Sequence, residues 1–352
     1  MFSRISSVKQ LLFRSVSRVE NSVRVRHKSD GVKVVCVGGQ SPLQVNLALM
    51  LKQSNHFSEI CIHDFNTKNL KGICADLNTI HTPSTVTYHE GIQSLEKALQ
   101  DANLIIILDK TPSQEENMKT SSPEALETMF FNSNADHCGM VAETYASICP
   151  GAIVAVAAQP VNIMTPLVYS LASKLNHNVT ANRVVGFTLK DEIQANLLLS
   201  KKLQKPINEI KVPLIGGSSR TTIIPLLSTV KEAGKMSQDE TKSFIEEVRR
   251  ESVSRVCCPL SSAAALYRLA NALAMASKGQ EVYQRGYVAC THAPGCQFFV
   301  GKARFGPAGL QTVEPLPPLS DYEDALFHSA IFHLKIDMKR ANEFVKSYLL
   351  DR

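Results

Sequence analysis

Gly38 and Gly39 close the apolar run VKVVCV (32–37), and Asp64 closes the next one, EICIHD (59–64), 26 residues after Gly38. A glycine-bearing turn between a strand and a helix lets backbone N–H groups approach a phosphate. A carboxylate ending the following strand can hydrogen-bond ribose hydroxyls and disfavour a 2′-phosphate. The same aspartate would serve equally as a turn cap. A second group lies in LKDEIQ (189–194), with Asp191 and Gln194, and in VPLIGGSSRTTIIPL (212–226), where Ser218 and Arg220 follow paired glycines. A guanidinium can grip a carboxylate with two hydrogen bonds. A serine hydroxyl cannot accept a proton near neutral pH as an imidazole does.

The elements that must position these residues alternate. Strand candidates are 32–37, 59–64, 104–108, 152–158 and 183–187, and helices are expected at 43–52 and 123–148. Ser121, with Glu124 three positions on and Pro123 between them, marks the expected start of the second helix. Strands interleaved with helices predict a parallel sheet covered on both faces. After about residue 188 the pattern becomes α+β. Helices are expected at 190–203, 238–255, 261–278 and 320–350, with short strands near 208–214, 284–290 and 296–304. The apolar stripe Ala263, Leu266, Leu269, Ala270 and Leu273 reads as core or subunit interface.

Residues 1–27 hold six Lys and Arg against one Glu and account for five of the chain's six net positive charges. The remainder is near neutral, which gives no basic field for nucleic acid. The first segment is rich in Arg and Ser and carries apolar residues at helical spacing. It reads as a mitochondrial transit peptide over 1–28, which predicts a matrix location. No apolar run is long enough to cross a membrane, so no membrane insertion is expected. The nine cysteines form no C-x-x-C pair and read as free thiols in a reducing compartment, with no metal site.

The segments DFNTKNLKGICADL (64–77), FFNSNADHCGMV (130–141), AAQPVNIMTPL (157–167), GFTLKDEIQANLL (186–198) and VPLIGGSSRTTIIPL (212–226) closely resemble mitochondrial malate dehydrogenases, in order and spacing. The resemblance runs from about Lys33 to the C-terminus. It implies an α/β fold: an N-terminal Rossmann doubly wound parallel sheet (29–180), then an α+β C-terminal domain of the lactate/malate dehydrogenase type (181–352). It also implies NAD as cofactor and assembly into dimers or tetramers.

The resemblance assigns the site residue by residue. The aspartate that orients the family's proton-carrying histidine is Asp191, and the histidine position holds Ser218. The arginine three residues after the aspartate is replaced by Gln194. Two arginines of the mobile loop align with Ser113 and Lys119. The asparagine that contacts cofactor and substrate is Gln159, while Asn162 and the cofactor-contacting Asn134 are kept. Cofactor positions further include Gly38, Asp64 and Ala157, and a methionine near the nicotinamide aligns with Leu266. Two glycines of the family's phosphate turn are Ser41 and Gln44, and Pro42 between them lacks an N–H.

No arginine lies between Arg26 and Arg183, and no histidine between His177 and His292, so no local shift of the alignment restores these groups. A positioned acid–base contributes about 10²–10⁴ in rate, and each charge-assisted hydrogen bond about 1.5–3 kcal/mol. The leading expectation is a divergent paralogue, catalytically inactive or severely impaired, with NAD binding weakened or lost. It would form a homodimer or a hetero-oligomer with an active paralogue. The alternatives are an NAD-dependent oxidoreductase with residual or altered substrate activity, and a non-catalytic subunit of an active paralogue.

Overall fold

The computed structural model describes residues 31–39, 41–65, 70–110, 122–254 and 258–351. The basic segment read as a transit peptide lies outside the described residues, as do Ser113 and Lys119. The chain begins β1 (Val32–Gly38), α1 (Pro42–Lys52), β2 (Phe57–Asp64), α2 (Leu70–Thr79), β3 (Thr85–Glu90), α3 (Leu95–Leu99), β4 (Leu104–Ile107). It continues α4 (Pro123–Ile148), β5 (Ile153–Val156), α5 (Val161–Leu175), β6 (Val184–Gly186), α6 (Leu189–Leu203), β7 (Leu214–Gly216), β8 (Ile223–Pro225). It closes with α7 (Gln238–Ser254), α8 (Pro259–Ser277), β9 (Val282–Ala289), β10 (Phe298–Gly306), β11 (Gly309–Val313) and α9 (Asp321–Leu350).

The first six strands pair in parallel in the order β3-β2-β1-β4-β5-β6, the arrangement of a doubly wound nucleotide-binding sheet. Side-chain alternation explains why β1, β4 and β5 read as unbroken apolar runs. Val34, Cys36, Leu104, Ile106, Ile153 and Ala155 face one core, shared with α1, α2 and α8. Val35, Val37, Ile105, Ile107, Val154 and Val156 face the other, shared with α3, α4, α5 and α9. Each strand is covered twice, so neither face needs polar residues. The stripe on α8 is core: Ala263, Leu266, Leu269, Ala270 and Leu273 are all buried, in one cluster with Leu47, Ala48 and Leu51 of α1.

Beyond β6 the sheet continues antiparallel. Gly186 pairs with Tyr287 of β9, and the order runs on through β10, β7 and β8, with β11 on β10. Here the structure departs from the expected elements. The strand expected near 208–214 is a 3₁₀ turn at Ile207–Glu209 followed by β7, which returns as β8. Helix α4 is capped by Ser122 and not by Ser121: the Ser122 hydroxyl accepts the Ala125 N–H at 3.2 Å, with Pro123 at the first helical position. Unforeseen elements have visible causes. Helix α5 is buried along its first eight residues and carries Pro166 inside it, a residue that argues against a helix interior. Strand β3 lies at the sheet edge with only Val86 buried, so its pattern is weak.

Candidate functional site

Open parallel sheets bind ligands beyond the carboxyl ends of their strands, where the strand order reverses. Here that point lies between β1 and β4, and its turn is filled from within. A Cβ on Gly38 would come within 2.7 Å of the Leu108 Cβ, so this glycine lets the ends of β1 and β4 approach each other. Ser41 caps α1 and its hydroxyl accepts the Gln44 N–H at 3.3 Å, while Pro42 offers no N–H. Gln44 is 1% exposed, and its amide donates to the carbonyls of His63 (3.1 Å) and Cys36 (3.4 Å). Its Oε1 is buried without a partner among the described residues.

Asp64 is buried at the end of β2, where its carbonyl accepts the Gly91 N–H at 2.9 Å. Two buried histidines lie at this end of the sheet, edge-on to Phe65, each with ring centroids 4.8 Å from it. Burial pushes His63 down to about 4 and His137 down to about 3, so both rings stay neutral at physiological pH.

Asp109, just past β4, was not singled out from sequence. Its carboxylate accepts the Gln159 N–H and the Asn134 side-chain N–H, both at 2.7 Å. Asn134 is fully buried; it also accepts the Lys110 N–H (2.8 Å) and donates to the Gln159 carbonyl (2.8 Å). The loops after β4 and β5 are thus clamped together, with the Gln159–Pro160 peptide cis. Burial pushes the Asp109 carboxyl above its ordinary range, opposed by the Gln159 N–H and by Lys190.

The first turn of α6 carries Lys190, Asp191 and, one turn on, Gln194. Asp191 is 2% exposed and accepts the Ser218 hydroxyl at 2.6 Å. Its carboxyl is raised by burial, with the Lys190 charge and the Ser218 hydroxyl opposing. Gln194 is buried, and its Nε2 has no partner among the described residues.

Ser218 stands on the turn joining β7 to β8. Gly216 enters that turn at φ +98°, and Gly217 N–H and Thr222 carbonyl close it at 3.0 Å. Asn162 holds the turn from α5: its Oδ1 accepts the Ser218 N–H (2.8 Å), and its Nδ2 donates to Thr222 Oγ1 and Asp337 Oδ2 (both 3.1 Å). Asp337, on α9, is pushed up to about 7, first by burial and then by Glu127.

These parts border a half-open cavity of about 140 Å³. Gln159, Lys190, Ser218, Ser219, Arg220 and Thr221 line one side, and Glu124, Leu126, Glu127 and Phe130 of α4 line the other. The structure thus places the Ser218 hydroxyl on Asp191, and Ser218 and Gln159 on the same wall of the cavity. Leu266 and Ala157 sit in the core and do not line the cavity. Lys190 was missed, although its place beside Asp191 at a helix start could have flagged it. Arg220 is exposed at the rim, near Glu124. Among the described residues no cluster suits a metal ion, the eight described cysteines are free, and no helix is long and apolar enough to cross a membrane.

Residues 32–186 match the family model for the lactate/malate dehydrogenase NAD binding domain, and residues 188–345 match that for the lactate/malate dehydrogenase alpha/beta C-terminal domain. The chain belongs to the lactate/malate dehydrogenase family. NAD is the family's cofactor. The chain is 30% identical over 332 residues to mitochondrial malate dehydrogenase of Caenorhabditis elegans, covering 92% of this chain and 94% of that one. It is 28% identical over 331 residues to peroxisomal malate dehydrogenase 1 of Arabidopsis thaliana, covering 92% and 90%. Relatives therefore come from more than one organelle. The fold matches Cryptosporidium parvum lactate dehydrogenase, solved with lactic acid and NAD (TM-score 0.72, 17% identity, 89% of this chain and 98% of that one). It matches Plasmodium falciparum malate dehydrogenase equally (TM-score 0.72, 17% identity, 89% and 99%).

Proposed function

We propose that this family member has kept the dehydrogenase fold and lost the hydride-transfer chemistry, and that it acts in the mitochondrial matrix as a binding or assembly protein. One observation carries the reading: the carboxylate that should orient a proton carrier is engaged by the Ser218 hydroxyl at 2.6 Å. Oxidising a 2-hydroxy acid requires a base that takes the hydroxyl proton as hydride leaves. Ser218 cannot be that base near neutral pH, and His63 and His137 are locked neutral away from the cavity. Gln194 stands where a guanidinium would hold a substrate carboxylate, and an amide brings no charge to that task.

The nucleotide turn does not fit NAD. Of the first three positions of α1, Pro42 has no N–H and the Gln44 N–H is taken by the cap, so little of the helix N-terminus is left for a pyrophosphate. The Gln44 side chain packs beneath the turn where the family has a glycine, and the Asp109 carboxyl already takes up the Asn134 side-chain N–H and the Gln159 N–H. Asp64 suits a ribose, but one anchor does not replace a phosphate cradle. The remaining features support a role in binding, since the fold and a formed cavity persist.

Titration of the purified protein with NADH, followed by nicotinamide fluorescence, tests the cofactor part. The expected result is no saturable enhancement at concentrations that saturate a family dehydrogenase run in parallel. A saturable rise comparable to that control overturns it and favours an oxidoreductase of altered specificity.

A further inference from the structure

The wall of the cavity that carries Ser218 is tied to an acid on a distant element. The Asn162 side chain stands between them, 1% exposed. Its Oδ1 accepts the Ser218 N–H at 2.8 Å, and its Nδ2 donates to Thr222 Oγ1 and to Asp337 Oδ2, both at 3.1 Å. The Thr222 hydroxyl in turn accepts the Ser219 N–H at 3.1 Å, so one amide holds both serines of the lining. The fit leaves no slack. A Cβ on Gly217 would lie 2.7 Å and 2.9 Å from the two polar atoms of that amide. A change in the pull of Asp337 on Asn162 is therefore felt at Ser218.

Asp337 sits among groups from several elements. Arg340 stands one turn along α9, where side chains three residues apart are neighbours. Its guanidinium lies 3.9 Å from Glu127 of α4 and 4.0 Å over the Phe131 ring. Two carboxyls, Asp337 and Glu127, thus flank one guanidinium. Tyr287 of β9 and Cys296 of the β9–β10 turn also interact with Asp337; burial raises the proton affinity of both, so both are neutral at physiological pH. His333 and Glu124 act on Glu127, and Lys335 acts on Cys296. From α5 comes the uncharged Asn162 amide. Burial and then Glu127 push Asp337 up to about 7, with the Asn162 amide and Arg340 opposing the rise.

We propose that Asp337 is a proton-operated latch on the cavity wall: ionised, it tightens the Asn162 bridge and holds the β7–β8 turn firmly, and protonated, it lets that turn relax. A carboxylate accepts a shorter and stronger hydrogen bond than a neutral carboxyl. An amide polarised on its donor side becomes a better acceptor, which here strengthens the bond to the Ser218 N–H. The latch goes beyond the non-catalytic reading and does not depend on it, since it requires no turnover.

Amide-resolved NMR of the isotopically labelled full-length protein, titrated through neutral pH, tests it. The Ser218 amide proton should move downfield as pH rises, in one step with a midpoint of about 7. Asp337→Asn keeps the shape of the side chain and should abolish the step. Glu127→Gln removes the competing acid and should move the midpoint to lower pH. Glu127 is only half-buried, so this variant decides the matter even if D337N does not fold. His333→Gln should leave the step in place. A Ser218 amide that does not titrate, a step that survives in D337N, a midpoint unmoved in E127Q, or a step lost with His333 would each overturn the proposal.

Discussion

Replacing Gly216 by alanine should cost about 4 kcal/mol or more, placing it among the most damaging single changes in the chain. Two independent causes combine. The backbone stands at φ +98°, a region side-chain-bearing residues avoid at a cost of about 1–3 kcal/mol. An added Cβ would also fall 1.9 Å from the Thr222 carbonyl oxygen, and backbone on both sides leaves no flexible atom to yield. The turn that would have to open is the one that presents Ser218 to Asp191. Urea unfolding should show the loss, with Gly151→Ala as control. A Cβ on Gly151 would meet nothing within 4 Å, and its φ is not positive, so alanine there should be nearly neutral. Equal stability of the two variants would mean that the β7–β8 turn is not held as described.

The second large effect is expected for Asn162→Ala, and it should depend on pH. Asn162 satisfies three partners at once: the Ser218 N–H, the Thr222 hydroxyl and the Asp337 carboxylate. Two of these bonds are neutral and contribute about 1 kcal/mol each, while a bond to an ionised group contributes about 1.5–3 kcal/mol. Asp337 rises from 3.8 to about 7 on folding. An acid raised in this way contributes stability that is fully present below its unfolded pKa and is lost as pH climbs through the folded value. Well above pH 7 the folded protein therefore carries an ionised, largely buried carboxylate that relies on the Asn162 N–H. The loss should reach about 3–5 kcal/mol there, and fall to about 1–3 kcal/mol near pH 5, where Asp337 is protonated in the folded state. Thermal melts at the two pH values check this. A loss independent of pH would remove Asp337 from the network, and Asn162→Ala in an Asp337→Asn background should then behave no differently.

The order of elements in the first half was legible because β1, β4 and β5 are apolar on both faces, a signature that survives in one dimension. Strand β3 and helix α5 were not legible, the first because an edge strand need bury only Val86, the second because Pro166 inside it reads as a helix breaker. The cap of α4 was misplaced by one residue since Ser121 and Ser122 offer the same chemistry, and only the position of Pro123 separates them. In the site, Asp191, Ser218, Gln159 and Gln194 were singled out only through the family resemblance. Lys190, Asp109 and Asp337 were not. Lys190 adjoins Asp191, but the other two gain significance from neighbours distant in sequence: Asp109 meets Gln159 50 residues away, and Asp337 meets Asn162 175 residues away. Nothing in local pattern announces such pairs.

The pairing of Ser218 with Asp191 also bears on how stable such a site can be. An oriented histidine spreads positive charge toward its aspartate during turnover. A serine gives the Asp191 carboxylate one neutral hydrogen bond, and burial keeps its proton affinity high. The Lys190 charge and the Ser218 hydroxyl oppose that rise.

The most direct test of the proposed loss of hydride transfer is the reduction of oxaloacetate by NADH, measured with the purified protein at high enzyme concentration. The expected rate is at least about 10⁴-fold below the roughly 10 s⁻¹ of a typical enzyme, with no saturation in either substrate. Saturable turnover at about 1 s⁻¹ or faster, abolished by Asp191→Asn, would contradict it.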